Sequence, residues 1–304
     1  MSEPAARLVW RPDGPLDIVR TLGPLRRGQG DPTFRADPLG ALWRTTTTPE
    51  GPATLRLRRH DGLLLADGWG PGAQWAVGAV PDSLGARDDL TGFVPPAGLV
   101  TDTWRRHPGL RLPRTRRVWD VLVLAILEQK VTGKESRRSW RELIAEAGVA
   151  APGPAPAGMR VPPTPRAVLE VPDWVWHRCG VDGQRRRTLR GAATVAHALE
   201  RAVALPGPQA VELLRRVPGI GPWTAAEVVQ RALGDADHPS VGDYHVASFV
   251  GWALVGHALD DDGMLAVLEP YRPHRQRVVR LLEASGFSKP RFGPRMTVLD
   301  YRTL

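Results

Sequence analysis

Val217-Pro218-Gly219-Ile220-Gly221-Pro222-Trp223-Thr224-Ala225-Ala226-Glu227-Val228 decides how this chain is read. Apolar residues at helical spacing lie on both sides, Val211, Leu213, Leu214 and Val217 before it and Ala225, Val228, Val229 and Leu233 after it. Two glycines with one residue between them let the backbone turn tightly and let another group come close to it. The helix that follows presents N–H groups without intrahelical partners, backed by the positive end of its dipole. Such a terminus suits one backbone phosphate. A bare G-x-G is equally compatible with an ordinary turn between packed helices, so the companions of this stretch carry the weight.

The chain has 304 residues, enough for two or three domains with proper cores. Its formal net charge of +9 suits a polyanionic partner such as nucleic acid. Nearly all of the positive charge is arginine, since lysine occurs only at 130, 134 and 289; together with abundant Ala, Gly and Pro, this is also what a biased coding composition produces. The single cysteine, Cys179, excludes a disulfide framework, a Cys-rich zinc site and a cysteine-ligated iron–sulfur cluster within one chain, and reads as a structural thiol. There is no apolar run of a signal peptide at the N-terminus. No window approaches the roughly 20 apolar residues of a membrane span. The expectation is a cytoplasmic protein with no membrane partner.

The first hundred residues read as β-rich. Thr33–Ala36, Leu42–Thr46, Thr54–Arg58 and Leu63–Trp69 are short segments bounded by Gly, Pro and Asp, and His60-Asp61-Gly62 is a tight-turn signal between two of them. A helix over Gln74–Val80 packs against this sheet. From about residue 113 the pattern is helical, over Val118–Lys130, Lys134–Ala147, Gln184–Leu199, Gln209–Val217, Trp223–Leu233, Tyr244–Val255, Met264–Glu269 and Arg275–Ala284. Ala150–Pro165 reads as a loop within that region. The division is therefore a β-rich domain over 1–105, a helical domain over 106–285 with the glycine turn inside about 209–234, and a basic, Pro-containing tail over 286–304 that is partly disordered.

Twenty-two residues after Gly221 comes Ser240-Val241-Gly242-Asp243-Tyr244-His245, followed by apolar Val246, Phe249, Val250, Ala253 and Leu254. Asp243 thus opens a helix. Asp is a favoured N-cap, and a helix N-terminus equally favours a functional carboxylate, so the two roles are compatible. His238 and His245 lack a partner pattern for a nucleophile or a metal.

Glycine turn and downstream Asp together resemble the helix-hairpin-helix DNA glycosylase superfamily, and P-G-I-G-P-W-T-A looks most like its bacterial 3-methyladenine DNA glycosylase II type. Ala125-Ile126-Leu127-Glu128-Gln129-Lys130-Val131-Thr132 resembles that family's I-L-x-Q-Q-V-S segment, and Cys179-Gly180-Val181 through Gln184-Arg185-Arg186-Arg187 its G-L-x-x-x-K/R segment. Leu16-Asp17-Ile18 and Gly68-Trp69-Gly70-Pro71-Gly72 fit its N-terminal β domain loosely. The likeness covers about residues 16–284. It implies an α+β fold, a small antiparallel β-sheet domain packed on an all-α helix-hairpin-helix glycosylase domain.

The resemblance also implies roles. Asp243 is the catalytic carboxylate, stabilising positive charge on the sugar and orienting or deprotonating water. Gly219, Gly221 and Thr224 bind the DNA backbone, while Trp223 and Tyr244 line the pocket for a flipped base. Trp104, Trp119, Trp140 and Trp252 belong to the core. Relatives that also cut the backbone commonly carry a lysine where this chain has Trp223; an indole cannot form a Schiff base, so a simple hydrolase is expected. Where relatives present aromatic walls this chain has Glu227 and Glu283, either solvated helix faces or pocket carboxylates that favour cationic bases. Lys130 stands where an apolar wedge is common and can reach a phosphate, and Gln129 beside it faces the opposite strand. The carbonyls of Arg215, Val217 and Ile220 correspond to ligands of a monovalent cation, Na+ or K+, and no other cofactor is required. The expected partner is duplex DNA with alkylated bases, bound by a monomer associated with a bacterial nucleoid. The alternatives are a glycosylase for bulkier or cross-linked adducts and a DNA-binding protein without chemistry.

Overall fold

The computed structural model describes residues 2–290. Five strands, β1 (Ala6–Trp10), β2 (Phe34–Ala36), β3 (Leu42–Thr48), β4 (Gly51–His60) and β5 (Leu63–Trp69), form one antiparallel sheet in the order β1-β5-β4-β3-β2. The β4–β5 hairpin closes at Asp61-Gly62, both with positive φ (48° and 75°), the two-residue turn whose twist matches antiparallel strands. β1 is an edge strand absent from the sequence reading. Ala150–Pro165, expected as a plain loop, contains a two-residue pair, β6 (Val149–Ala150) with β7 (Arg160–Val161), whose neighbour Met159 packs on the stacked Trp43 and Trp69.

The helices that position the site are α1 (Ile18–Leu22), α2 (Ala73–Gly78), α3 (Leu99–Arg106), α4 (Val118–Leu127), α5 (Gly133–Ala147), α6 (Gly183–Thr194), α7 (Gly207–Arg215), α8 (Pro222–Val228), α9 (Val246–Val255), α10 (Asp261–Leu268) and α11 (Arg275–Ala284). Helix α4 is buried along its whole length, which explains its nearly continuous apolar sequence. It ends earlier than the expected Lys130, because Lys130 takes a positive φ of 54°. One apolar core joins the sheet to α4 and to the helices around the glycine turn, α6, α7 and α8. A second gathers Phe93, Val100 and Leu110 with Val250, Met264, Leu268, Val278 and Leu282. Arg277 and Asp88, both almost fully buried, pair at 2.5 Å within it.

Polar groups fasten the sheet to α4. Asp120 accepts from Thr46 Oγ1 (2.5 Å), from Thr47 N (3.1 Å) and from the Thr47 hydroxyl. Glu200 accepts from the N–H groups of Val118 and Trp119, both at 3.0 Å, and so caps α4 from eighty residues away. Trp119 and Trp140 are core residues as expected, with indole N–H groups donating to Pro163 O and Asp31 Oδ1. Trp104 is half-buried against Phe93, and Trp252 is half-buried on α9. Burial pushes the Cys179 thiol up to about 12, consistent with a structural role. No helix among the described residues is long and apolar enough to cross a membrane. The tail lies outside the described residues from 291 onward.

Asp120→Ala leaves three buried donors without their acceptor, each worth about 1–3 kcal/mol. A loss of at least about 3 kcal/mol is expected in urea unfolding, with a matching drop in melting temperature; a loss below about 1 kcal/mol would show that the Asp120 cluster does not fasten the two layers.

Candidate active site

Helices α7 and α8 form the arms of the glycine hairpin. Ile220 N donates to Val217 O (3.0 Å), and both side chains are buried, which pins the turn to the core. The two glycines answer different demands. Gly219 has φ +89°, and a Cβ there would collide with Thr188 Oγ1 and lie 3.0 Å from Thr188 Cβ and Cγ2. Gly221 is extended (φ −90°, ψ −177°), and a Cβ there would meet nothing within 4 Å. Beyond it, Pro222 occupies the first turn of α8, and the N–H groups of Trp223 and Thr224 precede the first helical bond.

Gln129 and Thr224, both expected at the DNA, meet one another in the free protein. Gln129 Nε2 donates to Gly219 O (2.9 Å) and to Thr224 Oγ1 (2.8 Å), and Thr224 is buried. Their side chains brace the hairpin against the end of α4. Lys130, next in the chain, is exposed.

Asp243 lies in the loop before α9. Its Oδ1 accepts from His245 N (2.7 Å) and Val246 N (3.0 Å), the capping role. Its Oδ2 accepts from Trp223 Nε1 (3.0 Å), across the hairpin. Gly242, with φ +87°, supplies the bend, and its N–H donates to Asp261 Oδ2 at 2.9 Å.

Asp243 and Trp223 open onto a cavity of about 460 Å³ whose lining also includes Glu227 and Glu283. Four of the sequence-predicted residues are thus brought together. Tyr244 is not: it does not line the cavity, the residue is 84% exposed, and its ring packs edge-on against His245. As the neighbour of an inward-facing Asp243, its side chain projects the other way. Glu227 is buried and so is not a solvated-face residue: Oε1 accepts from Ser240 Oγ (2.6 Å), and Oε2 pairs with Arg231 Nη1 (2.8 Å). Glu283 pairs with Arg280 at the partly exposed rim.

The remaining lining was not read from the sequence. Gly23–Gly28, from the β-rich half, forms one wall, and its Arg27 pairs with Glu128 at 2.8 Å across 101 residues. Gln276, Val279 and Arg280 of α11 form another. Only the Arg-Arg pair in a glycine-bounded segment hinted at the first wall. His238 pairs with Asp235 (2.8 Å) outside the cavity lining. No group of three or more His, Cys, Asp or Glu placed to hold a metal occurs among the described residues.

No protein-family model matches the chain. It is 29% identical over 163 residues to a Mycobacterium tuberculosis protein described as a probable bifunctional transcriptional activator/DNA repair enzyme AlkA; the match covers 52% of this chain and only 30% of that protein. Among solved structures, the 3-methyladenine DNA glycosylase of Archaeoglobus fulgidus superposes with a TM-score of 0.76 at 16% identity, covering 92% of this chain and 98% of the other. The 8-oxoguanine glycosylase/lyase of Clostridium acetobutylicum, in its apo form, superposes with a TM-score of 0.71 at 13% identity, covering 94% and 98%. The chain has the fold of the helix-hairpin-helix DNA glycosylases.

The two glycines give a paired expectation. Gly219→Ala forces a left-handed alanine into Thr188 and should cost about 2 kcal/mol or more of stability. Gly221→Ala should fold with stability unchanged to within about 0.5 kcal/mol, while weakening binding to damaged and undamaged duplex alike. Thermal melts and fluorescence anisotropy on both variants check this; a folded Gly221→Ala protein with full duplex affinity would remove that glycine from the interface.

Proposed function

We propose that this protein is a monofunctional DNA glycosylase that hydrolyses the N-glycosidic bond of alkylated purines, of the 3-methyladenine and 7-methylguanine class, in duplex DNA during base excision repair. The observation that carries the reading is Asp243. Its carboxylate is fixed by three N–H donors at the wall of a cavity large enough for a base, beside a hairpin built to meet a phosphate. The hairpin holds the backbone while the target nucleotide leaves the stack, at a cost of roughly a few kcal/mol. As the bond to the base lengthens, positive charge grows on the sugar, and Asp243 stabilises it. A water aligned by the same carboxylate attacks the anomeric carbon. Trp223 positions Asp243 through its indole N–H and offers a ring face to the base, but no amine for a Schiff base.

Glu227 gives the proposed pocket its preference. A buried carboxylate in the wall, already tied to Ser240 and Arg231, favours a base made cationic by alkylation over a neutral one. A second reading, a bulkier or cross-linked adduct, is favoured by the charged walls where relatives carry aromatic ones. The proposed protein acts as a monomer, in the cytoplasm and on the nucleoid, and the carbonyls of Arg215, Val217 and Ile220 are the proposed ligands of a monovalent cation.

Two expectations follow. Asp243→Asn keeps a capping oxygen for His245 and Val246 and removes the charge. On duplexes with defined alkylated bases, chromatography should show release reduced by at least about a hundredfold, with duplex affinity kept; near-normal release would sink the assignment. The wild-type product should be an intact strand with an abasic site, cleaved only by later alkali, with no adduct trapped by borohydride. A robust adduct would mean that a lysine is the nucleophile and that the protein is also a lyase.

A further inference from the structure

Helix α5 carries its positive charge on one side. Lys134, Arg137 and Arg141 recur at intervals of three and four residues, with Lys130 four residues ahead of the first. All four are exposed, while the opposite face buries Ser136, Ser139, Trp140, Leu143 and Ile144. Of the three carboxylates of the helix, Glu135 closes the capping box on Thr132 and Glu146 pairs with Arg178 at 2.5 Å. Among the described residues no ion pair neutralises Lys134, Arg137 or Arg141.

A loop from the β-rich half runs along this stripe. A Cβ at Gly28 (φ +81°) would lie 3.0 Å from Arg137 Cδ, and one at Gly30 would lie 3.3 Å from Arg141 Cδ. The loop thus supports the stems of two arginines and adds exposed Arg26 beside them. Arg26, Gly133 and Arg137 also line the cavity that holds Asp243, so the stripe starts at the cavity wall and runs outward.

From Lys134 to Arg141 is about 10 Å, at 1.5 Å per residue. That length is about three nucleotide steps of 3.4 Å along a duplex. Exposed, unpaired point cations at this pitch, with no aromatic or carboxylate among them, suit a repeating anion that carries no sequence information.

We propose that Lys134, Arg137 and Arg141, flanked by Lys130 and Arg26, form a second phosphate track on a different wall of the cavity from the glycine hairpin. The inference rests on the DNA glycosylase reading and adds to it a second grip, so that the target nucleotide is held between two backbone contacts. The track takes phosphodiesters of either the lesion strand or its complement.

The test is equilibrium binding of the full chain to an undamaged duplex over a range of salt, for wild type, Lys134→Gln/Arg141→Gln and the charge-keeping Lys134→Arg/Arg141→Lys. Each phosphate contact contributes about 0.9 to the slope of log K against log salt. The Gln pair should lower the magnitude of the slope by about 1.8 at unchanged melting temperature, and the charge-keeping pair should not. Duplexes with methylphosphonates in one strand or the other then identify the strand, because neutralising the true partner abolishes the difference between wild type and the Gln pair. A steep wild-type slope that the Gln pair leaves unchanged overturns the track alone, as does a difference that survives neutralisation of both strands. A wild type without duplex affinity overturns the glycosylase reading and the track together.

Discussion

The carboxylate of Asp243 is held from two directions, and the arrangement of the site depends on both. From one side the indole N–H of Trp223, in the first turn of α8, reaches Oδ2. From the other, the N–H groups of His245 and Val246 reach Oδ1 at the start of α9. Hydrogen bonds to a carboxylate are shorter and about twice as strong as neutral ones. One side chain therefore couples the glycine hairpin, which belongs to the first apolar core, to a helix of the second. The distance between the glycine turn and the carboxylate is fixed by the carboxylate itself. Under the proposed function, capping and chemistry are two uses of one geometry.

The cavity between the two cores has an unusual wall. Glu227 with Arg231, Glu128 with Arg27 and Glu283 with Arg280 are ion pairs in progressively more exposed positions. Buried pairs are seldom worth more to stability than apolar side chains of similar size. Folding alone gives no reason to prefer them over apolar side chains, and under the proposed function the reason is what the cavity receives. Fixed charges and hydrogen-bond donors discriminate by charge and by polar edge, whereas ring stacking tolerates any flat base. Breaking such a pair with a single substitution leaves its partner charged in the wall, which makes the pairs interdependent.

Local chemistry was legible in the sequence, and long-range closure was not. The hairpin, the Asp243 cap, the Asp61-Gly62 turn and the continuous apolar run of α4 each follow from neighbours within a few residues. The edge strand β1 was missed because half of its side chains face solvent and it is flanked by proline and aspartate. The wall made by Gly23–Gly28 depends on an ion pair across 101 residues, which no periodicity announces. Gln129 was placed on the DNA because its position in the motif allowed it, and only the folded chain shows its amide occupied by Gly219 and Thr224. Tyr244 was assigned to the pocket by the family resemblance, but it sits in the turn just before α9, exposed and outside the cavity lining.

The hairpin therefore contains residues kept for two different reasons. Gly219 is required by the fold: its left-handed backbone and its contact with Thr188 admit no side chain, whether or not DNA is bound. Thr224 and Gln129 serve the fold as well, as an internal brace. Gly221 is the exception. Its backbone is one that any residue adopts, and open space surrounds it, so nothing inside the free protein calls for glycine there. What calls for it must come from outside, and it must come close to the backbone just where α8 presents its first unpaired N–H groups. Under the proposed function, that position, free of internal constraint and two residues before Trp223, is where a phosphate and the carboxylate's hydrogen-bonding partner meet on the same turn of helix.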